Sequence, residues 1–388
     1  MAVTNYIFKV ASRCNADCSY CYVYHKDDQT WKGQPRFLSL ETFEASLLRI
    51  ADYWLGRSGR LHIGLHGGEP FIAGARRFGQ WMSCVETTLK PRGIEYQISV
   101  QTNGILCNTD IMQQLRSAGA KLFVSCDGPP GVADLQRVDH LGRPFSRQVK
   151  EFLSCLQHDW QDIYGGILAV IDPDSSPEMV MDYLEGFQPP LVDLLLPLIL
   201  RSDFSDLETF QLYQHRLCEW LERAFLHYLN LNTNSQFRYF DHVLLSAASP
   251  PFERAIPFDP RETLVIESNG DYHLDDTLRI CGDQFTATGK TVFEAGIPEV
   301  ISSQSFQKLN ALTQLPPACR QCDLQNLCGG GLPAHRWDRN CQEFGLASTC
   351  PSLYQLFHQA QEVIESFRQH RFQQQGFSDV DSKKQRTL

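Results

Sequence analysis

The sequence predicts an α/β protein: a partial (β/α)6 barrel of the TIM type, followed by a small C-terminal domain rich in cysteine. Three observations lead there. Between residue 5 and about 200, short apolar runs alternate with amphipathic stretches, the pattern of a parallel sheet with helices packed on it. Beyond about 202, long helical patterns replace that alternation. Six of the fourteen cysteines then fall between residues 281 and 350.

The first strand is read in "YIFKV", and five more follow in "LHIGLH", "YQISVQT", "KLFVSCD", "GGILAVI" and "VDLLLPLIL", all rich in β-branched or large apolar residues. Between them, "SLETFEASLLRIADYWL", "ARRFGQWMSCVETTLK", "TDIMQQLRSAG" and "SRQVKEFLSCLQHDW" carry apolar residues at helical spacing. Ser39 is a fitting N-cap with Glu41 in the first turn, and Gly119 is the expected stop of the third helix. Two more helices are expected over 205–230 and about 234–246, then a Pro-rich boundary in "ASPPFERAIPFDP". "ETLVIESNGDYHL" reads as a hairpin turning at Asn269-Gly270. A last helix follows over 351–370, then a frayed polar tail. The expected domains are a core over 1–230, a helical, Pro-rich bridge over 231–262, the cysteine-rich domain over 263–370 and the tail over 371–388.

Composition excludes several classes. Hydrophobic residues make up 43% and charged residues 21%, so a sizeable core can form. The formal charge of −10 speaks against a sequence-independent nucleic-acid binder. No run approaches the ~20 apolar residues of a membrane span. The N-terminal "MAVTNYIFKV" lacks the features of a secretory signal, so a cytoplasmic protein is expected. Cysteines in that setting are thiols or metal ligands rather than a disulfide framework. The scattered Cys84, Cys107, Cys126, Cys155 and Cys218 read as small buried hydrophobes.

"CNADCSYC" follows the first strand directly, which sets Cys14, Cys18 and Cys21 at the C-terminal mouth of the barrel, where such folds carry chemistry. One reading is a zinc knuckle completed by a distant ligand such as His25, although zinc sites usually show paired C-x2-C units. The other is an iron–sulfur cluster, which normally takes four thiolates. Three on one loop leave an iron open to an exchangeable small molecule.

The spacing C-x3-C-x-aromatic-C resembles the signature of the radical S-adenosylmethionine (SAM) enzymes. That resemblance implies a [4Fe-4S] cluster whose open iron is chelated by SAM, and reductive cleavage of SAM to a 5′-deoxyadenosyl radical. It implies further that Tyr20 lies near the adenine. "HGGEP" at the end of the second strand is similar to the family's GGEP motif: glycine backbone at Gly67 and Gly68 can approach the SAM ammonium, and Glu69 can accept from it. Ser125 and Asp127 resemble the family's ribose segment, with Gln101 and Asn103 as further candidates. Ile167 and Ala169, on the fifth strand, are the picks for packing on the adenine.

Cys319, Cys322, Cys328 and Cys350 resemble the SPASM domain, the auxiliary-cluster module of peptide-modifying radical SAM enzymes. The resemblance implies one auxiliary [4Fe-4S] cluster held by these four; a zinc site is the alternative. The module's other cluster lacks its ligands here. Leu332 and Asp275 stand where cysteines are expected, and 254–262 supplies none. Cys281 either joins the surviving cluster or lines the substrate pocket, and Cys341 reads as a free thiol. Asp276 falls where sulfatase-maturating relatives carry a catalytic base.

"CYVYHKDDQTW", "LRICGDQFTATG" and "LCGGGLPAHRW" are similar to the FxsB/XyeB-like group of SPASM peptide maturases, over about 5 to 370. His335 and Arg336 lie in the last of these, as structural bonding groups or substrate contacts. The group's chemistry implies a precursor peptide as substrate, an external electron donor of the flavodoxin or ferredoxin type, and a carbon–carbon crosslink (a cyclophane) between an aromatic side chain and a nearby β-carbon. A sulfatase-type formylglycine maturase is the enzyme alternative; a zinc-stabilised binding protein is the alternative of another class. Since the first strand starts by residue 5, no separate leader-binding domain is expected ahead of it.

Overall fold

The structure is a computed structural model that describes residues 2–248 and 259–384, with side chains as far as residue 369. Six strands lie side by side in chain order, all parallel: β1 (Asn5–Ala11), β2 (Leu61–Gly67), β3 (Tyr96–Thr102), β4 (Lys121–Ser125), β5 (Tyr164–Val170) and β6 (Leu191–Leu195). Parallel neighbours need crossovers, and helices supply them. These are α1 (Leu40–Trp54), α2 (Gly74–Leu89), α3 (Thr109–Ser117), α4 (Pro130–Gln136), α5 (Ser146–Asp159) and α6 (Pro177–Glu185). Ser39 caps α1 as its sequence predicts, accepting from Thr42 N at 3.0 Å. Helices α4 and α6 were not expected, though Ser176 followed by Pro177 is a capping residue with Pro at the first helical position.

The two faces of the sheet differ. Ile63, Leu65, Ile98, Val100, Leu122, Val124, Ile167 and Val192 are buried on the helix side, with Phe43, Phe78 and Trp81 of α1 and α2 in the same core. Each such side chain contributes roughly 1.5–3 kcal/mol by burial. The opposite face carries Lys9, His66, Gln101 and Ser125, two pairs of which touch: Lys9 Nζ lies 3.2 Å from His66 Nδ1, and Gln101 Nε2 donates to Ser125 Oγ at 3.5 Å. Polarity on this face makes it the barrel's interior.

The structure differs from the expected boundaries in four places. The sixth strand ends at Leu195, because Pro197 has no N–H for a ladder. The barrel also runs past residue 230. After α7 (Leu207–Asn230), β7 (Gln236–Phe237) pairs parallel with β6 and leads into α8 (Arg238–Ala248), so part of the expected bridge belongs to the core. Residues 249–258 of that bridge lie outside the described residues. The expected hairpin forms as β8 (Thr263–Ile266) and β9 (Asp271–His273), but β8 pairs parallel with β1. With β10 (Ala287–Thr291) beside β9, the cysteine-rich unit thus extends the barrel sheet rather than standing apart. Finally, the last helix spans Cys350–Lys384 and takes in most of the expected tail. Among the described residues no helix is long and apolar enough to cross a membrane.

Candidate active site at the barrel mouth

Just past β1, the chain turns into the loop of Cys14, Cys18 and Cys21, three free, half-buried thiols. Ala16 N–H points at Cys14 Sγ at 3.4 Å, and the amides of Val23 and Tyr24 point at Cys21. Burial pushes Cys14 up to about 12 and Cys18 up to about 11, and neighbouring thiols push the same way. Such thiols shed that penalty when a cationic metal centre displaces their protons. Among the described residues no three His, Cys, Asp or Glu side chains close on a single ion. A metal here is therefore argued from the donors: three soft thiols with amide N–H groups aimed at them suit iron–sulfur ligation. His25 turns elsewhere, to Asp17 at 2.8 Å.

The end of β2 packs directly on this loop. Gly68 N donates to Ala11 O at 2.8 Å and Glu69 N to Arg13 O at 3.1 Å. A Cβ on Gly67 would overlap Ala11 O, and one on Gly68 would overlap both Arg13 O and the Tyr24 hydroxyl. Backbone closeness therefore requires glycine at both positions. Gly68→Ala is expected to lower stability by about 1–3 kcal/mol and to reduce iron retained after reconstitution. Thermal unfolding and iron analysis read both; an unchanged melting curve with full iron would remove this role.

Glu69 is fully buried, and its carboxylate accepts from Phe71 N (3.1 Å), Thr102 Oγ1 (2.9 Å) and Asn103 N (2.8 Å). Burial pushes its carboxyl up to about 7. With three protein donors on it, Glu69 clamps the ends of β2 and β3 and holds the glycine backbone in place. Asn103 in turn reaches the cysteine loop, donating to Asn15 Oδ1 at 2.8 Å, with its amide 3.9 Å from Cys14 Sγ.

The Tyr20 hydroxyl donates to Asp127 Oδ2 and accepts from Arg137 Nη1 at 2.6 Å. Asp127 Oδ1 accepts from Val170 N at 3.0 Å, and its carboxylate lies 3.7 Å from Arg137. Loop, β4 and β5 are locked together by this triangle. Arg137 escapes a reading of the sequence, as does His140, whose Nε2 lies 2.9 Å from Cys14 O. Both sit on a segment that runs along the cysteine loop, with Asp17 N on Val138 O at 2.7 Å and Ser19 N on Gln136 O at 3.0 Å.

Ile167 and Ala169 are misassigned. Ile167 pairs with Val124 and Val192, and Ala169 with Leu194, all buried on the helix side. Paired residues share a face, so the β5 residues on the interior side are Leu168, opposite Ser125, and Val170. A one-residue shift separates the two sets.

Asp276 follows β9 and reaches across to the mouth. Its carboxylate pairs with Lys9 Nζ, accepts from Arg279 Nε at 2.9 Å, and takes the Tyr22 hydroxyl at 3.3 Å. Burial alone would raise this carboxyl, but Lys9, Arg279 and His66 together hold it below the usual range. Lys9, His66 and Arg279 are further residues that sequence reading missed. A lysine inside an apolar strand run was the available signal. Adjacent Asp275 accepts from Thr277 N at 3.0 Å, and burial pushes its carboxyl up to about 6.

Farther along, Cys319, Cys322, Cys328 and Cys350 line one cavity. The amides of Gly330 and Gly331 point at Cys328, whose thiol burial pushes up to about 11. Gly329, Gly330 and Gly331 all have positive φ (59°, 76° and 69°), a run that side chains rarely tolerate. Four soft thiols around one cavity, with amides aimed at sulfur, again suit a cluster. Cys281 does not join them: its thiol donates to Ala334 O at 3.6 Å and lines a separate pocket with Asp27 and Arg339. Cys341 is exposed. His335 and Arg336 are structural. His335 Nε2 lies 3.0 Å from Pro197 O, tying this unit to the barrel. Arg336, 3% exposed, donates to the carbonyls of Leu312, Gln314, Gly329, Gly330 and Gly331. Arg336→Ala strands five carbonyls and is expected to cost on the order of 3–5 kcal/mol and empty the four-cysteine site, read by thermal unfolding and iron content. Unfolding unchanged from wild type would contradict it.

Residues 8–171 match the family model of the Radical SAM superfamily. The chain is 25% identical to an uncharacterized protein of Synechocystis, covering 92% of this chain and 90% of that one. It is 21% identical to the serine-type anaerobic sulfatase-maturating enzyme of Bacteroides thetaiotaomicron, over 96% of this chain and 92% of the relative. The solved structure of native anSMEcpe with bound AdoMet and the Cp18Cys peptide superposes with a TM-score of 0.77 at 19% identity, covering 94% of this chain and 98% of that one. Barrel and cysteine-rich unit together therefore share one known fold.

Proposed function

We propose that this chain is a radical SAM enzyme that oxidises a side chain of a peptide or protein substrate at its β-carbon. The observation that carries the reading is the convergence, at one barrel mouth, of the three-cysteine loop, the glycine backbone packed on it and the ionised carboxylate of Asp276. An iron–sulfur cluster on Cys14, Cys18 and Cys21, with SAM on its open iron, supplies a 5′-deoxyadenosyl radical as hydrogen-atom acceptor when bound. Tyr20, Asp127 and Arg137 fix the loop; Glu69 fixes the glycine backbone. Gln101, Ser125, Leu168 and Val170 face the interior beside it. A carbon radical left by hydrogen abstraction still has to lose one electron and one proton. Asp276 is positioned to take that proton. Lys9 and Arg279 make it a weak base, which suffices where the proton leaves an oxidised, cationic centre. A [4Fe-4S] cluster held by Cys319, Cys322, Cys328 and Cys350 would supply a one-electron acceptor.

Two products fit that balance. Oxidation of a serine or cysteine to an aldehyde is supported by the nearly full-length likeness to sulfatase-maturating enzymes and by Asp276 at the mouth. Crosslinking of the β-carbon to an aromatic ring, as in the FxsB/XyeB-like group, is supported by the residues that replace cysteine at 275 and 332. The first has the broader support. Coexpression with candidate substrates and mass spectrometry separates them. Serine oxidation and crosslinking both remove two hydrogens, but only an aldehyde then reacts with a hydrazide. An unmodified substrate under conditions where SAM is cleaved would overturn the peptide reading.

A further inference from the structure

The chain carries a formal charge of −10, yet one face beside the cysteine loop is cationic. Arg13 directly precedes Cys14. Its guanidinium lies 5.0 Å from the Trp31 ring and, among the described residues, donates to uncharged oxygens, Ser12 O at 3.0 Å, Ser12 Oγ at 2.9 Å, Trp31 O at 2.9 Å and Lys32 O at 3.3 Å. Lys32 Nζ stands 5.8 Å from the same ring. The chain then runs back along the end of β1, with Ser12 N on Arg36 O at 3.1 Å and Leu38 N on Val10 O at 3.1 Å. That path sets Phe37 beside α2, where Arg36 and Arg77 flank its ring at 5.2 and 4.5 Å. Arg76 adjoins Arg77. Lys32, Arg36, Arg76 and Arg77 are exposed, and no ion pair is formed by any of the five cations among the described residues. Neither 29–40 nor 70–85 contains an acid.

Clustered like charges repel one another, and an anionic partner removes that cost. We propose that Arg13, Lys32, Arg36, Arg76 and Arg77, with the faces of Trp31 and Phe37, form the docking surface for an acidic one-electron carrier protein of the flavodoxin class. The inference rests on the functional reading above, which requires one electron per SAM cleaved. Arg13 brings the surface to within one residue of Cys14, so a docked carrier is close to the centre it reduces. A docked, reduced carrier would give up one electron to a cluster held by Cys14, Cys18 and Cys21, with no bond made or broken in that transfer. Charge complementarity of this kind sets encounter rate and salt dependence.

The test compares wild type with the quadruple variant Lys32→Glu, Arg36→Glu, Arg76→Glu, Arg77→Glu, leaving Arg13 and its backbone bonds intact. Titration calorimetry with oxidised flavodoxin is expected to show binding by the wild type that weakens as salt rises from about 50 to 200 mM, and at least tenfold weaker binding by the variant. Dithionite-driven SAM cleavage should be equal in the two, and flavodoxin-driven cleavage lost in the variant alone. A second variant, with Gln at the same four positions, should fall between them, which separates charge from misfolding. Equal affinity of wild type and variant, or no binding by the wild type, overturns the docking surface. Absence of dithionite-driven cleavage in the wild type would instead strike the functional reading, with the calorimetry still deciding the surface.

Discussion

Alanine at Cys14, Cys18 and Cys21 together is expected to abolish 5′-deoxyadenosine production while leaving the C-terminal site filled. The two sets of thiols draw on different parts of the chain: one loop after β1, and one cavity lined by Cys319, Cys322, Cys328 and Cys350. Wild type should saturate at about eight irons per chain, one open and one closed 4Fe-4S cluster, and the triple variant at about four. Replacing Cys319 and Cys322 should give the complementary loss, with the SAM-responsive signal intact. Cys281 lies outside both sets, in a separate pocket, so its replacement should leave the count unchanged. Deoxyadenosine from the triple variant would show that the N-terminal loop does not hold the reacting centre. A count near twelve would demand a third site.

Asp276 carries the second large effect, and its two substitutions separate chemistry from stability. Asp276→Ala leaves Lys9 and Arg279, whose side chains are 4% and 1% exposed, without this partner. Arg279 keeps Asp28 at 3.0 Å and Glu267, but Lys9 keeps only uncharged neighbours among the described residues, His66 Nδ1 at 3.2 Å and the Tyr22 ring at 5.9 Å. Stripping one partner from such a buried group costs about 3–5 kcal/mol. Asp276→Asn keeps the shape and one acceptor oxygen, which can still face Arg279, but loses the second acceptor, the charge and the proton acceptor. It is expected to lower modified product at least ~100-fold, with SAM cleavage within a few-fold of wild type. Single-turnover assays quantifying deoxyadenosine and product side by side check this. Product formation equal to wild type would move proton acceptance to another group.

Most of the architecture was legible because it rests on local chemistry. Alternating apolar runs give six strands, Ser39 caps its helix, and Asn269-Gly270 turns its hairpin. The cysteine and glycine motifs were legible because their spacing follows the ends of β1 and β2. What escaped depends on contacts distant in the chain. Arg137 and His140 gain their roles only when their segment lies along the cysteine loop, more than a hundred residues earlier. Lys9 and Asp276 meet because β8 docks on β1, a pairing no periodicity announces. The error at Ile167 and Ala169 has a local cause. "GGILAVI" is apolar throughout, so alternation cannot show which residues face inward, and the register shifts between Leu122 and Phe123. Helix α6 was missed although Ser176-Pro177 marks its start. For Cys281 the sequence leaves two places open, the surviving cluster or the substrate pocket, and only the fold shows its thiol turned toward Ala334, outside the four-cysteine cavity.

The central claim is that the loop after β1 supports radical SAM chemistry. Its most direct test is anaerobic reconstitution of the full chain with iron and sulfide, reduction by dithionite, and quantitation of 5′-deoxyadenosine and methionine after addition of SAM. The expected result is a brown protein, absorbing near ~400 nm as iron–thiolate sites do, that releases the two products in equal amounts. A colourless, zinc-loaded protein that leaves SAM intact would contradict the account.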